Sequence, residues 1–151
     1  AKMCEYFANA YDILNADLLY ASAVCHDIGK TKELSNFPDN DYTDIGQLVG
    51  HIVIGVEMIG EAIRTIPDFP EKLANEWKHC IVAHHGELEY GSPKKPALAE
   101  AVALNLADNA DAKMQTLKEI FKDKSGTDWL GYNRLFESNL RKTSLSEESK
   151  S

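Results

Sequence analysis

His26-Asp27-Ile28-Gly29-Lys30 sets a nitrogen ligand, an oxygen ligand, a helix-stopping glycine and a phosphate-seeking cation side by side. Such a grouping implies metal-assisted chemistry on phosphates. A His-Asp pair alone arises by chance in many chains, so its weight rests on further ligands at workable distances. The sequence supplies them in His51, the pair His84-His85, and Asp108. Neighbouring residues diverge by about 100° on a regular helix, so His26 and Asp27 reach one point only where a helix is ending. Gly29, read as a left-handed stop, provides that ending, and Gly86 does the same for His84 and His85.

Outward from this stretch the periodicity is helical. Met3, Phe7, Tyr11 and Leu14 recur at helical spacing, and Asn15 or Asp17 can cap a helix with Leu18, Leu19, Ala21, Ala23 and Val24 that stops near Gly29. After the polar stretch 31–43, Asp44 is expected to cap one helix carrying Leu48, His51, Ile52, Val56 and Ile59, with His51 on or beside its buried face. Pro70 suits an early position of the next helix, whose stripe of Leu73, Trp77, Cys80, Ile81 and His84 runs to Gly86.

A loop from Glu87 to Pro96 follows, and Leu98, Ala101, Val102 and Leu106 then mark a helix that carries Asp108. A long final helix reaches about Lys122. Strand-like alternation is essentially absent, so the predicted fold class is all-α. Residues 1–137 are expected to form one domain, with the serine- and charge-rich stretch 138–151 as a mobile tail. The first helical stripe opens without a capping residue and no methionine stands at position 1, so the chain is expected to be cut from something longer.

At 151 residues, 44% hydrophobic and 26% charged, the chain suits a single soluble domain with a real core. No apolar run approaches the roughly 20 residues of a membrane span, and no signal peptide opens the chain, which makes the cytoplasm the default compartment. Cys4, Cys25 and Cys80 are odd in number and widely spaced, as expected of reduced core residues rather than a disulfide framework or thiolate zinc site. A net charge of −8 argues against a surface that holds nucleic acid by electrostatics alone, so a phosphate partner must be drawn to a local site.

Imidazole and carboxylate donors suit Mn²⁺, Fe²⁺, Zn²⁺, Ni²⁺ or Co²⁺ and leave the choice among them open. His79, five residues before His84, is turned off the same helical face and is read as structural. Asp111, one turn beyond Asp108, is either a support for it or a surface carboxylate.

H-D-I-G-K at 26–30, with His51, H-H-G at 84–86 and L-A-D at 106–108, resembles the HD-domain metal-dependent phosphohydrolases. More narrowly, G-x-x-x-G-H at 46–51, A-H-H-G-E-x-E-Y-G-S-P-K-x-P at 83–96 and A-D-N-x-D-A-K-M at 107–114 resemble the catalytic half of YhaM-type 3′-to-5′ exoribonucleases. The resemblance covers nearly the whole chain. It implies an HD-domain helical bundle with one or two divalent ions, manganese foremost, hydrolysing phosphoester bonds with a metal-activated water. His26, Asp27 and Asp108 would hold the first ion, together with a further histidine upstream of Ala1. Asp27, His51 and His84 would hold the second, with His85 as a ligand or a substrate contact.

Asp27 and Lys30 are then the catalytic pair, Lys30 steadying phosphate charge, while Lys94 and also Lys95 are candidates for the nucleic-acid backbone. The implied substrate is single-stranded RNA, or DNA. An upstream OB-like domain, as family members of this type carry, would supply grip on the strand. Two other functions remain open: an HD hydrolase of nucleotides or cyclic nucleotides, and a non-catalytic HD module that binds a metal or nucleotide.

Overall fold

The computed structural model describes residues 1–122 and 129–143. They form two compact units, Ala1–Ala110 and Asp111–Ser151. The first is helical. Helix α1 (Lys2–Ala10) leads to α2 (Ala16–Cys25), whose start is fixed by the Asn15 side chain accepting the Leu18 N–H at 3.1 Å. A cap of this kind contributes about 1 kcal/mol. Asn15 is itself held from α7 (Ala99–Lys122), where the buried Glu100 carboxylate accepts its N–H at 2.6 Å.

Helix α2 ends at Cys25, earlier than the expected stop near Gly29, and residues 26–29 form tight turns before the short α3 (Lys30–Glu33). Gly29 is not left-handed. Its φ and ψ are −61° and −24°, ordinary helical values. Its reason for being glycine is contact: a Cβ there would overlap the His51 carbonyl oxygen and lie 2.8 Å from the Gly55 nitrogen. The turn that carries His26 and Asp27 is thereby pressed directly against α5 (His51–Arg64).

One helix was expected from Asp44 through Ile59, and two are found. Thr43, not Asp44, is the cap, accepting the Gly46 N–H at 3.0 Å, and α4 (Asp44–Val49) breaks at Gly50, whose φ is +77°. A glycine inside an apolar helical pattern usually reads as a tolerated interior residue, which hides such a break. Its effect is to begin a new helix at His51, with N–H groups that lack intrahelical acceptors.

Helix α6 (Glu71–Ala83) starts after Pro70, which is the N-cap rather than a helical residue. Ile59 and Ile63 of α5 pack on Ala74 and Ile81 of α6. A second core gathers Cys4, Leu18, Leu19, Cys80, Ala83, Ala101 and Leu104 from α1, α2, α6 and α7. The three cysteines are free, and burial pushes the Cys80 thiol up to about 11. Burial of this apolar surface fixes the helix ends that meet at the histidines.

The helix carrying Asp108 and the long final helix are one element, α7. In the second unit, β1 (Trp129–Asn133) and β2 (Ser138–Arg141) form an antiparallel hairpin that pairs Tyr132 with Asn139 and Asn133 with Ser138. The all-α reading therefore holds for a fold that is mostly helix, with this hairpin as its exception. The strands are short, largely exposed and irregular between Trp129 and Gly131, which erases the period-two pattern that would announce them. The expected tail thus opens with a strand, and its residues 144–151 lie outside the described ones.

Candidate metal centre

Four histidines and two aspartates converge where α2, α5 and α6 end or begin. His26 follows the last residue of α2 and His84 the last of α6, while His51 is the first residue of α5. Each ring is oriented through Nδ1. His26 Nδ1–H donates to the Ala23 carbonyl at 3.0 Å, His84 Nδ1–H to Ile81 at 2.7 Å, and His85 Nδ1–H to Tyr90 at 2.8 Å. Carbonyls only accept, so Nδ1 carries the proton and Nε2 presents its lone pair. For His51 the acceptor is the Glu33 carboxylate, 3.2 Å from Nδ1.

The Nε2 atoms face Asp27. Its Oδ1 lies 3.6 Å from His51 Nε2 and 3.8 Å from His84 Nε2, while Oδ2 lies 3.5 Å from His26 Nε2 and 2.7 Å from Lys30 Nζ. His26 Nε2 is also 3.5 Å from Asp108 Oδ1 on α7. Nitrogen ligands sit about 2.0–2.1 Å from a metal such as zinc, so donors sharing one ion are about 3–3.5 Å apart. The observed spacings are close to that.

Asp27 Oδ1, His51 Nε2 and His84 Nε2 are all buried without a hydrogen-bond partner. Buried polar atoms are rarely left unpaired, and three facing one another call for a shared partner. A cation satisfies two imidazole lone pairs and a carboxylate oxygen at once, so the residues fit a metal. His85 joins this side: ligand atoms of His51, His84 and His85 lie within 4.8 Å of one another.

Electrostatics divide the site. Burial pushes the fully buried His84 imidazole down to about 4, with the Ile81 carbonyl opposing, so it is a neutral donor at pH 7. His26 is held above its ordinary value, chiefly because the Asp108 carboxylate facing its Nε2 favours the protonated ring, and against the effect of burial; the same contact holds Asp108 below the usual carboxylate range.

Glu33 went unnoticed in the sequence. It is buried at 6% exposure, and its Oε1 accepts the His51 N–H at 3.0 Å as well as the ring proton. Within the polar run 31–43 it reads as a surface residue, and its only local signal is its place one helical turn after Lys30. Asn105 was also missed; its side-chain amide donates to the His84 carbonyl at 2.8 Å. Gly86 has a φ of +81°, the left-handed stop expected of it, and a Cβ would also strike the Asn105 side chain.

The structure does not bring every named residue to the cluster. Lys95 pairs with Glu87, and Lys94 is exposed beside His79, whose pKa it lowers in support of burial. His79 Nε2 accepts the Ala97 N–H at 2.9 Å, in keeping with a structural role. Asp111 is exposed.

The family model of the HD domain matches residues 1–113. The chain belongs to the HD-domain family. HD domains hold divalent metals, for which the histidine cluster here is suited. The HD domain is 44% identical over 116 residues to the 3′-5′ exoribonuclease YhaM of Halalkalibacterium halodurans, covering 77% of this chain and 36% of that protein. It is 42% identical over 117 residues to the protein of that name from Bacillus subtilis, covering 77% and 37%. The chain thus spans little more than a third of the curated relatives it matches. No solved structure gives a significant match. Among the described residues of this HD domain, no helix is long and apolar enough to cross a membrane.

Proposed function

We propose that this HD domain is the catalytic part of a metal-dependent 3′-to-5′ exoribonuclease acting on single-stranded RNA. The observation that carries the reading is the set of buried, unpartnered donor atoms around Asp27, in a chain more than 40% identical to proteins named as such exoribonucleases. His26, Asp27 and Asp108 would hold one divalent ion, and Asp27 with His51, His84 and His85 a second, manganese being the first choice. Such ions supply Lewis acidity toward a phosphoryl group and bring the proton of an attacking water within reach of neutral pH.

The protein's own groups then orient and balance charge. Asp27 serves both sides because His26 approaches one of its oxygens while His51 and His84 approach the other. Lys30, half exposed and bonded to Asp27 Oδ2, keeps the carboxylate in place and offers positive charge to a phosphate or departing oxygen. Glu33 fixes the ring of His51, as outer carboxylates do for ligating histidines. Lys94 is proposed to touch the strand's backbone, and an upstream OB-like domain to add grip that an acidic surface lacks.

A 5′-labelled single-stranded oligoribonucleotide incubated with the protein and manganese should shorten stepwise from its 3′ end, and Asp27→Asn should stop it. Turnover of mononucleotides or cyclic nucleotides alone would replace the nuclease reading with a nucleotide hydrolase. A folded chain binding less than one metal, with no hydrolysis of any phosphoester, would leave a non-catalytic module.

A further inference from the structure

A groove of about 280 Å³ opens beside the histidines, and His51 and His85 are part of its wall. It lies where α4 gives way to α5 at Gly50 and where the loop after α6 turns at Gly91. Both glycines have left-handed φ values, +77° and +84°, and a Cβ at either would meet nothing within 4 Å. The chain turns away at both points and leaves open space next to the cluster. Val49, Ile52, Val53 and Pro93 give the rest an apolar character, and among the described residues no carboxylate, ammonium or guanidinium lines it.

Tyr90 is the remaining wall, and it is 68% exposed. Its carbonyl accepts the His85 ring proton, so the exposed phenol ring and the orientation of His85 are set by the same short turn (Leu88–Tyr90). Lys30 lies on the other side of the site, bonded to Asp27 Oδ2, whereas His51 and His84 approach Oδ1. A ligand whose anionic group is held at the cluster finds its cation on one flank and an uncharged, partly aromatic groove on the other. The groove is at the small end of ligand pockets, suited to one flat ring system rather than a whole drug-sized molecule.

We propose that this groove is a base-stacking subsite, with Tyr90 as its platform, for the nucleobase next to the scissile phosphodiester of a single-stranded nucleic acid. The subsite rests on the phosphodiesterase reading above. Continuity with His51 and His85 ties its occupant to whatever is bound at the cluster, and the uncharged, apolar lining among the described residues selects a base over a phosphate. Stacking on an aromatic face is tolerant of sequence, which suits a strand presented one nucleotide after another.

The test is titration of a phosphorothioate-linked, cleavage-resistant single strand bearing 2-aminopurine at its 3′ end, with manganese present and fluorescence as the readout. Wild type, Tyr90→Phe and Tyr90→Trp should quench the probe on binding. Tyr90→Ala should lose the quenching and bind about ten-fold or more weakly, while its manganese affinity by calorimetry stays within about two-fold. Unchanged quenching and affinity in Tyr90→Ala overturns the subsite. So does a matching loss of manganese affinity, which would make the ring a support for His85. Quenching by wild type without cleavage of ordinary RNA keeps the subsite and rejects the reaction; cleavage without quenching does the reverse, and neither signal rejects both.

Discussion

Removing the Glu33 carboxylate should weaken metal binding through His51, without touching any atom that faces the metal. Oε1 receives two protons from one residue, the His51 backbone N–H at 3.0 Å and the ring N–H at 3.2 Å, and the side chain is only 9% exposed. A hydrogen bond to a charged group contributes about 1.5–3 kcal/mol. The loss is less than twice that, because His51 is only partly buried and water can replace one bond. Glu33→Ala should therefore lower stability by about 2–3 kcal/mol in urea unfolding. The portion passed to the metal is what outer carboxylates contribute, about 10- to 100-fold in affinity, or about 1.4–2.8 kcal/mol. Glu33→Gln keeps an acceptor oxygen and loses the charge, so its effect should be smaller on both scales. Calorimetric titration with manganese beside urea melts separates the two. A destabilised Glu33→Ala protein that binds manganese as tightly as wild type would refute the reasoning, because the helix start alone would then orient His51.

Three further expectations follow from single contacts. Gly29→Ala sets a methyl against two backbone groups that cannot yield, the His51 carbonyl and the Gly55 N–H, and should cost about 3 kcal/mol in urea unfolding; a loss under about 0.5 kcal/mol would deny the close approach. Manganese that binds only the folded chain should raise stability by about 2.7 kcal/mol at one hundred times its dissociation constant, so a melting temperature unmoved by manganese would contradict the cluster, and Asp27→Asn should shrink the rise. His79 is held below its ordinary 6.5 by burial and by Lys94. Above pH 6.5 it is neutral folded or unfolded; as pH falls, the unfolded chain takes the proton first, so its share of stability is lost as pH drops through the folded pKa. His79→Gln should accordingly show a smaller drop in melting temperature between pH 7.5 and 5 than wild type, and equal drops would remove His79 from the acid response.

The helices were readable because each buries one stripe and several carry their own stop or start signals. Asn15 caps α2 and the Leu73-to-His84 stripe runs along α6, as their spacing implies. What escaped were features whose cause lies elsewhere in the chain. The hairpin is held by pairing between strands of five and four residues, with an irregularity between Trp129 and Gly131 and with little burial to impose alternation. The break at Gly50 leaves the apolar pattern of α4 and α5 continuous, so periodicity passes straight over it.

The site shows the same division in sharper form. His26, Asp27, His51, His84, His85 and Asp108 are chemically conspicuous, and the fold brings them together. Their support is inconspicuous: Glu33 sits in a polar run, and glycine is one letter with several causes. Gly86 supplies a left-handed turn, Gly50 a break with open space around it, and Gly29 a close approach in ordinary helical conformation. Reading Gly29 as a left-handed stop reaches the right neighbourhood for His26 and Asp27 by the wrong cause, since α2 has already ended at Cys25. The contact that the sequence could not reveal is the consequential one. By admitting the His51 carbonyl where a side chain would stand, Gly29 fixes the separation of the Asp27 turn from the start of α5, and with it the 3.6 Å between Asp27 Oδ1 and His51 Nε2.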